Sequence, residues 1–272
     1  RTLGILYKNQ EYKSNLKQVS TERKWLSELL KYIPLEDFVQ MCMHHSITDW
    51  LPFRWNGFRQ TTRYTYIINF ERKEINSIWN NMEPENRRII RRATENDLRV
   101  EITDDFDLIY KYESLTYERQ GLKFRLPYKE LKLLDNAIKQ RGNRVIFKAV
   151  DTDNQVHAVL YIAFNHKSAY ALLSGSDADL RKLGGHTFVM WEAIKYFSNK
   201  VEYFNFGGSD IERIEAHIRG FGGTLTPYFH IYNEKLMSER SDIWYHLNEI
   251  PFHLKTILKK VINKISRSLK LT

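Results

Sequence analysis

Between Arg181 and His186 the chain reads R-K-L-G-G-H, directly after a strand-like run and at the mouth of a helix-like one. Capturing a phosphate calls for small residues, so that backbone N–H groups can approach the oxygens, and for cations that neutralise the charge. Gly184 and Gly185 meet the first need, Arg181 and Lys182 the second. The helix that Thr187 and Phe188 enter adds unpaired N–H groups and the positive end of its dipole. Two glycines after a basic pair also make an ordinary turn, so the motif gains weight only from its surroundings.

Those surroundings run from Asn143 to Tyr232. NRVIFKAVD, VHAVLYIAF and SAYALLSGSD read as three strands before the turn. After it come a helix with Phe188, Trp191, Ile194, Tyr196 and Phe197 on its apolar side, the strand VEYFNF, the helix IERIEAHIR and the strand TLTPYFHIY. Upstream, residues 2–7 read as a strand and Tyr12 to Tyr32 as a helix. Residues 50–58 read as a loop with two aromatic anchors, and 63–70 as a strand. Asn76 to Asn96 reads as one helical segment whose Arg87, Arg88, Arg91 and Arg92 form a single positive face. That face is read either as a phosphate contact or as a solvated surface. A strand over 99–103 and helices over Phe106 to Arg119 and Tyr128 to Lys139 complete the order.

With 272 residues, 42% hydrophobic and 14% aromatic, the chain has ample material for a packed core. A net charge of +9 implies attraction to polyanions such as nucleic acid, anionic lipid or phosphorylated small molecules. The single cysteine, Cys42, excludes an internal disulfide framework and points to a reducing compartment. No apolar run reaches the roughly 18 to 20 residues that span a bilayer, and no signal peptide is read, so the expected location is cytoplasmic. Cys42, His44 and His45 are too compact and too few for a structural zinc, so no metal is expected. Residues 251–272 carry five Lys, one Arg and no acid. Leu254, Ile257, Leu258, Val261, Ile262, Ile265 and Leu269 line one helical face. Such a helix either packs on the body or lies on anionic lipid, at the inner face of a membrane.

The order strand, helix, helix, three strands, basic glycine turn, helix, strand, helix, strand resembles the FemAB-like, BioF-like branch of the GNAT superfamily. The resemblance is carried by WNGFRQTTRYTYII (55–68), RRIIRRA (87–93), GSDADLRKLGGHTFVMWEAIKYF (175–197) and YFNFGGSDIERIEAHIRGFGGTLTPYF (203–229). It implies a GNAT-like α/β (α+β) fold with a mixed central sheet. It further implies a partial, degenerate N-terminal GNAT-like lobe over 1–70, the acyltransferase domain over 71–232 and a basic tail over 233–272. The implied activity is transfer of an acyl group from acetyl-CoA or another acyl-CoA to an amine. The acceptor would be a small molecule or lipid-linked, such as an amino sugar or cell-envelope precursor. The alternatives are a Fem-type ligase that uses aminoacyl-tRNA and a non-catalytic membrane-surface module. Arg181 and Gly184 match the family's turn, which ends in Gly or Ala where this chain has His186. Ile218 stands where many relatives have a lysine, with Arg219 next to it.

By the same resemblance, Leu173, Ser174 and Gly175 form one wall of the donor site together with the turn from Arg181 to His186. Asn205, Gly207, Gly208 and Ser209 form the other wall. Tyr203, Tyr228, Asp210, Glu212 and Glu215 are the candidates for proton handling. Asp210 and Glu212 also suit a helix start, and the tyrosines suit ordinary strand positions. Trp55, Tyr170, Asp177, Asn205, Ser209 and Arg219 are the candidate substrate contacts. Acyl transfer to an amine requires no covalent nucleophile, and no Ser–His–Asp or Cys–His pattern stands out.

Overall fold

The computed structural model describes residues 11–33, 39–72, 74–119, 121, 124, 126–208 and 211–233. The strand expected over 2–7, the helix expected over 251–272, Ser209 and Asp210 lie outside them. The chain divides into two compact units. One comprises the described residues of Tyr64–Thr226, the other those of Thr2–Arg63 and Pro227–Thr272.

In the second unit, α1 (Asn15–Leu30) starts at Ser14, whose side chain accepts a hydrogen bond from the Lys17 N–H. It buries Leu26 and Leu30 and leaves Leu16 and Leu29 exposed. β1 (Gln40–Cys42) pairs antiparallel with the end of β8 (Thr224–Asn233). The stretch expected as a loop contains a helical turn, α2 (Leu51–Trp55), with Pro52 at its start, where a missing N–H is no loss. Two aromatic side chains of this stretch, Phe53 and Phe58, are buried, whereas Trp55 is exposed beneath the Arg23 guanidinium. β2 (Phe58–Asn69) is longer than expected and runs from this unit into the other.

The first unit holds the mixed sheet. Among the described residues its strand order is β2-β7-β6-β5-β4-β3. It is built from β3 (Arg99–Thr103), β4 (Arg144–Val150), β5 (Val156–Phe164), β6 (Ser168–Ser176) and β7 (Tyr203–Asn205). Neighbouring strands are antiparallel except β6 and β7. β4 and β5 are apolar on both faces because both faces are covered, which is why they read as continuous hydrophobic runs. On one face α7 (Gly185–Phe197) and α4 (Pro84–Glu95) pack on Phe147, Leu160, Ala171 and Phe204. On the other, α5 (Phe106–Glu118) and α6 (Tyr128–Gln140) cover Ile146, Val159 and Tyr161.

The single helix expected over 76–96 is two, α3 (Ile75–Asn81) and α4, broken at Met82 and Glu83. Pro84 imposes the break by driving Glu83 out of the helical region, to ψ 137°. The arginine face is likewise divided. Arg87 donates to the Trp79 and Asn80 carbonyls, Arg88 pairs with Glu85, and Arg91 lies over the Trp79 ring.

Candidate active site

β6 and β7 pair in parallel over three positions, ending at Tyr170 and Asn205. β6 continues to Ser176, whereas the chain after β7 follows β2 instead. Phe206 N donates to the Tyr66 carbonyl, and Gly208 lies against the Tyr64 carbonyl and Thr65. Gly207 and Gly208 have φ of +78° and +64°, and a Cβ on Gly208 would meet Tyr64 O at 2.2 Å. Glycine is therefore required for this departure. In β6 the register with β5 steps over Leu172, between Ala171 and Leu173. The outcome is a split between two parallel strands, with Leu173, Ser174 and Gly175 beyond the last pair on one side.

Asn205 stands where the strands part. Its Oδ1 accepts from Gly207 N and from the Thr65 hydroxyl, both at 2.8 Å. The Gly207 N–H can only donate, so it fixes which amide atom is the oxygen. Nδ2 is then a donor in a side chain 2% exposed, and it is buried without a hydrogen-bond partner. Such a group is rare in a folded protein and suits a site that awaits an oxygen.

From β6 the chain enters a 3-10 turn over Asp179–Leu183, held by the Asp177 carboxylate accepting from Asp179 N and Leu180 N. Gly184, at φ +75°, then redirects it into α7. A Cβ at Gly184 would meet Ile89 Cγ2 at 2.2 Å, and one at Gly185 would meet His157 Cβ at 2.7 Å. Both glycines therefore let the start of α7 pack tightly on α4 and β5. Arg181 and Lys182 are exposed on the turn. Arg119 joins them from just beyond α5, donating to the Ser176 carbonyl at 2.7 Å. Burial and the repulsion of Arg181 lower its pKa, with Asp177 opposing.

His186, second in α7, links three elements. Its Nε2 lies 3.1 Å from Ser174 Oγ on β6, and its Nδ1 lies 3.2 Å from Nε2 of His217 on α8 (Glu212–Arg219). Burial, then His217 and Arg181, push the His186 pKa down to about 3, and burial lowers that of His217. Both rings are neutral near pH 7. On the same helix, Glu215 accepts a short hydrogen bond from the Tyr66 hydroxyl of β2, and Arg219 Nε lies 3.3 Å from it. Burial and this bond raise the Tyr66 pKa.

Residues 84–213, just under half of the chain, match the family model described as "Acetyltransferase (GNAT) domain". Over these residues the chain is similar to a GNAT acetyltransferase domain. Its fold is shared with FemX, at TM-score 0.62 and 14% identity over 81% of this chain and 77% of that one. The C-terminal domain of a putative lysylphosphatidylglycerol synthetase from Agrobacterium fabrum aligns at TM-score 0.51 and 14% identity, over 68% of this chain and 64% of that one. A conserved protein of unknown function from Bacteroides thetaiotaomicron aligns at 0.51 and 12% identity, over 80% and 75%. No curated protein sequence gives a significant match.

On this fold the sequence-derived candidates fall into groups. Leu173, Ser174, Gly175 and Asn205 flank the split, and Tyr170 is in the last pair before it. Gly175 also lets α5 approach, since a Cβ there would lie 2.4 Å from the Tyr112 backbone. Tyr203 lies two residues before the split, paired with Ser168 on one side and Asn69 on the other. Glu215 is held by Tyr66 and Arg219. Asp177 caps the 3-10 turn. Tyr228 is buried and Trp55 exposed, both in the second unit. Sequence reasoning missed His217, Arg119, Thr65 and Tyr66 as site residues, along with the Ser–His–His chain. Only the fold brings them together. Among the described residues, no three His, Cys, Asp or Glu side chains are grouped as a metal ion would require.

Proposed function

We propose that this domain moves an acyl group from an activated carrier to an amine, with the acyl carbonyl held where β6 and β7 part. The observation that carries this reading is the split after Tyr170 and Asn205, together with the unpartnered Asn205 Nδ2 buried beside it. Attack on the carbonyl builds negative charge on its oxygen, and a fixed donor in a dry site stabilises that charge. Nδ2 is such a donor. The attacking amine must be neutral, and the leaving group must gain a proton.

In the first reading the carrier is acyl-CoA. Its diphosphate would lie on the turn from Arg181 to Gly185, and Arg119 adds a cation at the same place. The acceptor is then an amino sugar or a cell-envelope precursor, small or lipid-linked. Among the described residues no helix is long and apolar enough to cross a membrane. A lipid-linked acceptor would be met at the inner membrane face, through the basic segment 251–272.

A specific observation favours a second reading with aminoacyl-tRNA as carrier. Where the family's turn ends in Gly or Ala, the His186 imidazole bridges Ser174 and His217 and so narrows the room for a diphosphate. A charge of +9 also suits a polynucleotide.

Labelled acetyl-CoA and labelled aminoacyl-tRNA, each tested for binding and for transfer to amino-sugar acceptors, separate the two readings. Arg181→Glu is the clean variant, because Gly184 cannot be changed without strain. It is expected to weaken binding of the true donor at least tenfold while the fold stays intact. Unchanged binding of the donor that the wild type uses would remove the turn from the site.

A further inference from the structure

Ser174, His186 and His217 come from β6, α7 and α8, and their contacts are 3.1 Å and 3.2 Å. We infer that these three side chains form a proton wire that serves acyl transfer at the split. The inference rests on the reading above and adds residues to which it gives no chemical role.

The wire has two proton orders. In one, the Ser174 hydroxyl donates to His186 Nε2, His186 Nδ1–H donates to His217 Nε2, and His217 carries its remaining proton on Nδ1. In the other, each of these is reversed. Both orders leave every linked atom hydrogen-bonded and both rings neutral, so switching between them moves a proton without burying a charge.

Neutrality decides between this arrangement and a resemblance to a nucleophile–base–orienter triad, in which His186 would have to become imidazolium. Burial, His217 and the nearby Arg181 all oppose that charge. A base also works best with a pKa near the working pH.

The position suits transfer. Ser174 lies beyond the last β6–β7 pair, and His217 is half-buried at the other end, with Nδ1 outside the chain of contacts. During reaction the amine lone pair forms the new N–C bond. The carbonyl–carrier bond breaks, and its electron pair goes to the leaving sulfur or oxygen. The surplus amine proton enters at Ser174 Oγ as the serine gives its own proton to His186. His186 passes its Nδ1 proton to His217, which releases one from Nδ1 to solvent. A return passage from solvent to Ser174 protonates the leaving atom and restores the starting tautomers. No proton is gained or lost overall.

The test uses the full-length protein with whichever of acetyl-CoA and aminoacyl-tRNA the wild type turns over. Ser174→Ala, His186→Gln and His217→Ala are each expected to lower kcat about 100-fold or more with donor KM within threefold, the usual scale of lost proton transfer. Added imidazole should restore His217→Ala at least tenfold, because that ring ends the chain of contacts and leaves a gap that a free imidazole can enter. It should not restore Ser174→Ala. A purely structural role predicts no rescue. Rates within twofold of wild type, or losses confined to KM, would overturn the wire. So would an acyl group found by mass spectrometry on Ser174 after exposure to donor alone, since that makes the serine a nucleophile. If the wild type transfers from neither donor, the transfer reading fails and the wire with it. Turnover that survives all three substitutions defeats the wire alone.

Discussion

Gly184→Ala isolates what the turn requires of its glycine. The added Cβ meets two penalties. At φ +75° an L-residue costs about 1–2 kcal/mol, and forcing a methyl to within 2.2 Å of Ile89 Cγ2 adds about 1–3 kcal/mol of overpacking. The single variant is therefore expected to lose about 2–5 kcal/mol. Ile89→Ala alone, at a half-buried side chain, is expected to cost about 1–2 kcal/mol, below the range for a fully buried isoleucine. In the double variant Cγ2 is gone. The new Cβ then meets Ile89 O at 3.4 Å and Ile89 Cβ at 3.6 Å, which is ordinary contact. Only the dihedral cost remains. The double variant should thus be more stable than the sum of the singles by about 1–3 kcal/mol, a coupling of the size seen between touching residues. Urea unfolding of the four proteins measures it, provided the slope with denaturant is unchanged across the set. Additivity within about 0.5 kcal/mol would refute the steric account of Gly184.

Asn205→Ala leaves Gly207 N and the Thr65 hydroxyl without their acceptor. It should cost about 2–6 kcal/mol, at about 1–3 kcal/mol for each buried donor; a loss under about 0.5 kcal/mol in the same unfolding assay would contradict the assignment. Arg144→Met removes the cation from the Asp135 carboxylate, which is 2% exposed and 2.8 Å from Arg144 Nε, and leaves it with the Tyr161 hydroxyl. About 3–5 kcal/mol should be lost, and Asp135→Leu added to it should restore part, as followed by Tm. His186 has a folded pKa of about 3 against an ordinary 6.5. Below 6.5 the unfolded chain takes up a proton that the folded chain refuses. Its contribution is therefore complete above about 6.5 and is lost as pH falls toward 3, at up to about 1.4 kcal/mol per unit. His186→Gln should flatten the stability–pH curve over that window, and an unchanged slope would show that His186 is not held neutral.

Much of the fold is legible in the residues themselves. Val145 to Val150 and Val156 to Ala163 read as strands because burial on both faces leaves continuous apolar runs, and β2 because it is rich in β-branched and aromatic residues. The break at Pro84 was equally available, but the arginines on both sides of Ile89 and Ile90 continue a helical period that masks it. The turn at Arg181–Gly185 is legible as a motif, yet the reason for its glycines is not. Ile89 and His157 are distant in sequence and reach the turn only after α4 and β5 have packed. The same holds for the chemistry. Ser174 and His186 are 12 residues apart, and His186 and His217 are 31 apart. No local spacing rule joins a strand residue to two helices. His217 lies within a run quoted for its neighbours, and Asn205 is named as a wall of the site and a substrate contact but not as a buried donor. Its missing partner is visible only once Thr65 and Gly207 have been placed beside it.

The most direct measurement is a crystal structure of the protein bound to a non-transferable analogue of its donor, either a CoA thioether or an aminoacyl-tRNA end with an amide in place of the ester. The account predicts the acyl carbonyl in the split beyond Tyr170 and Asn205, its oxygen within hydrogen-bonding distance of Asn205 Nδ2, and carrier phosphate near Arg181 and Arg119. An analogue bound elsewhere, with Asn205 Nδ2 still unpartnered, would contradict it.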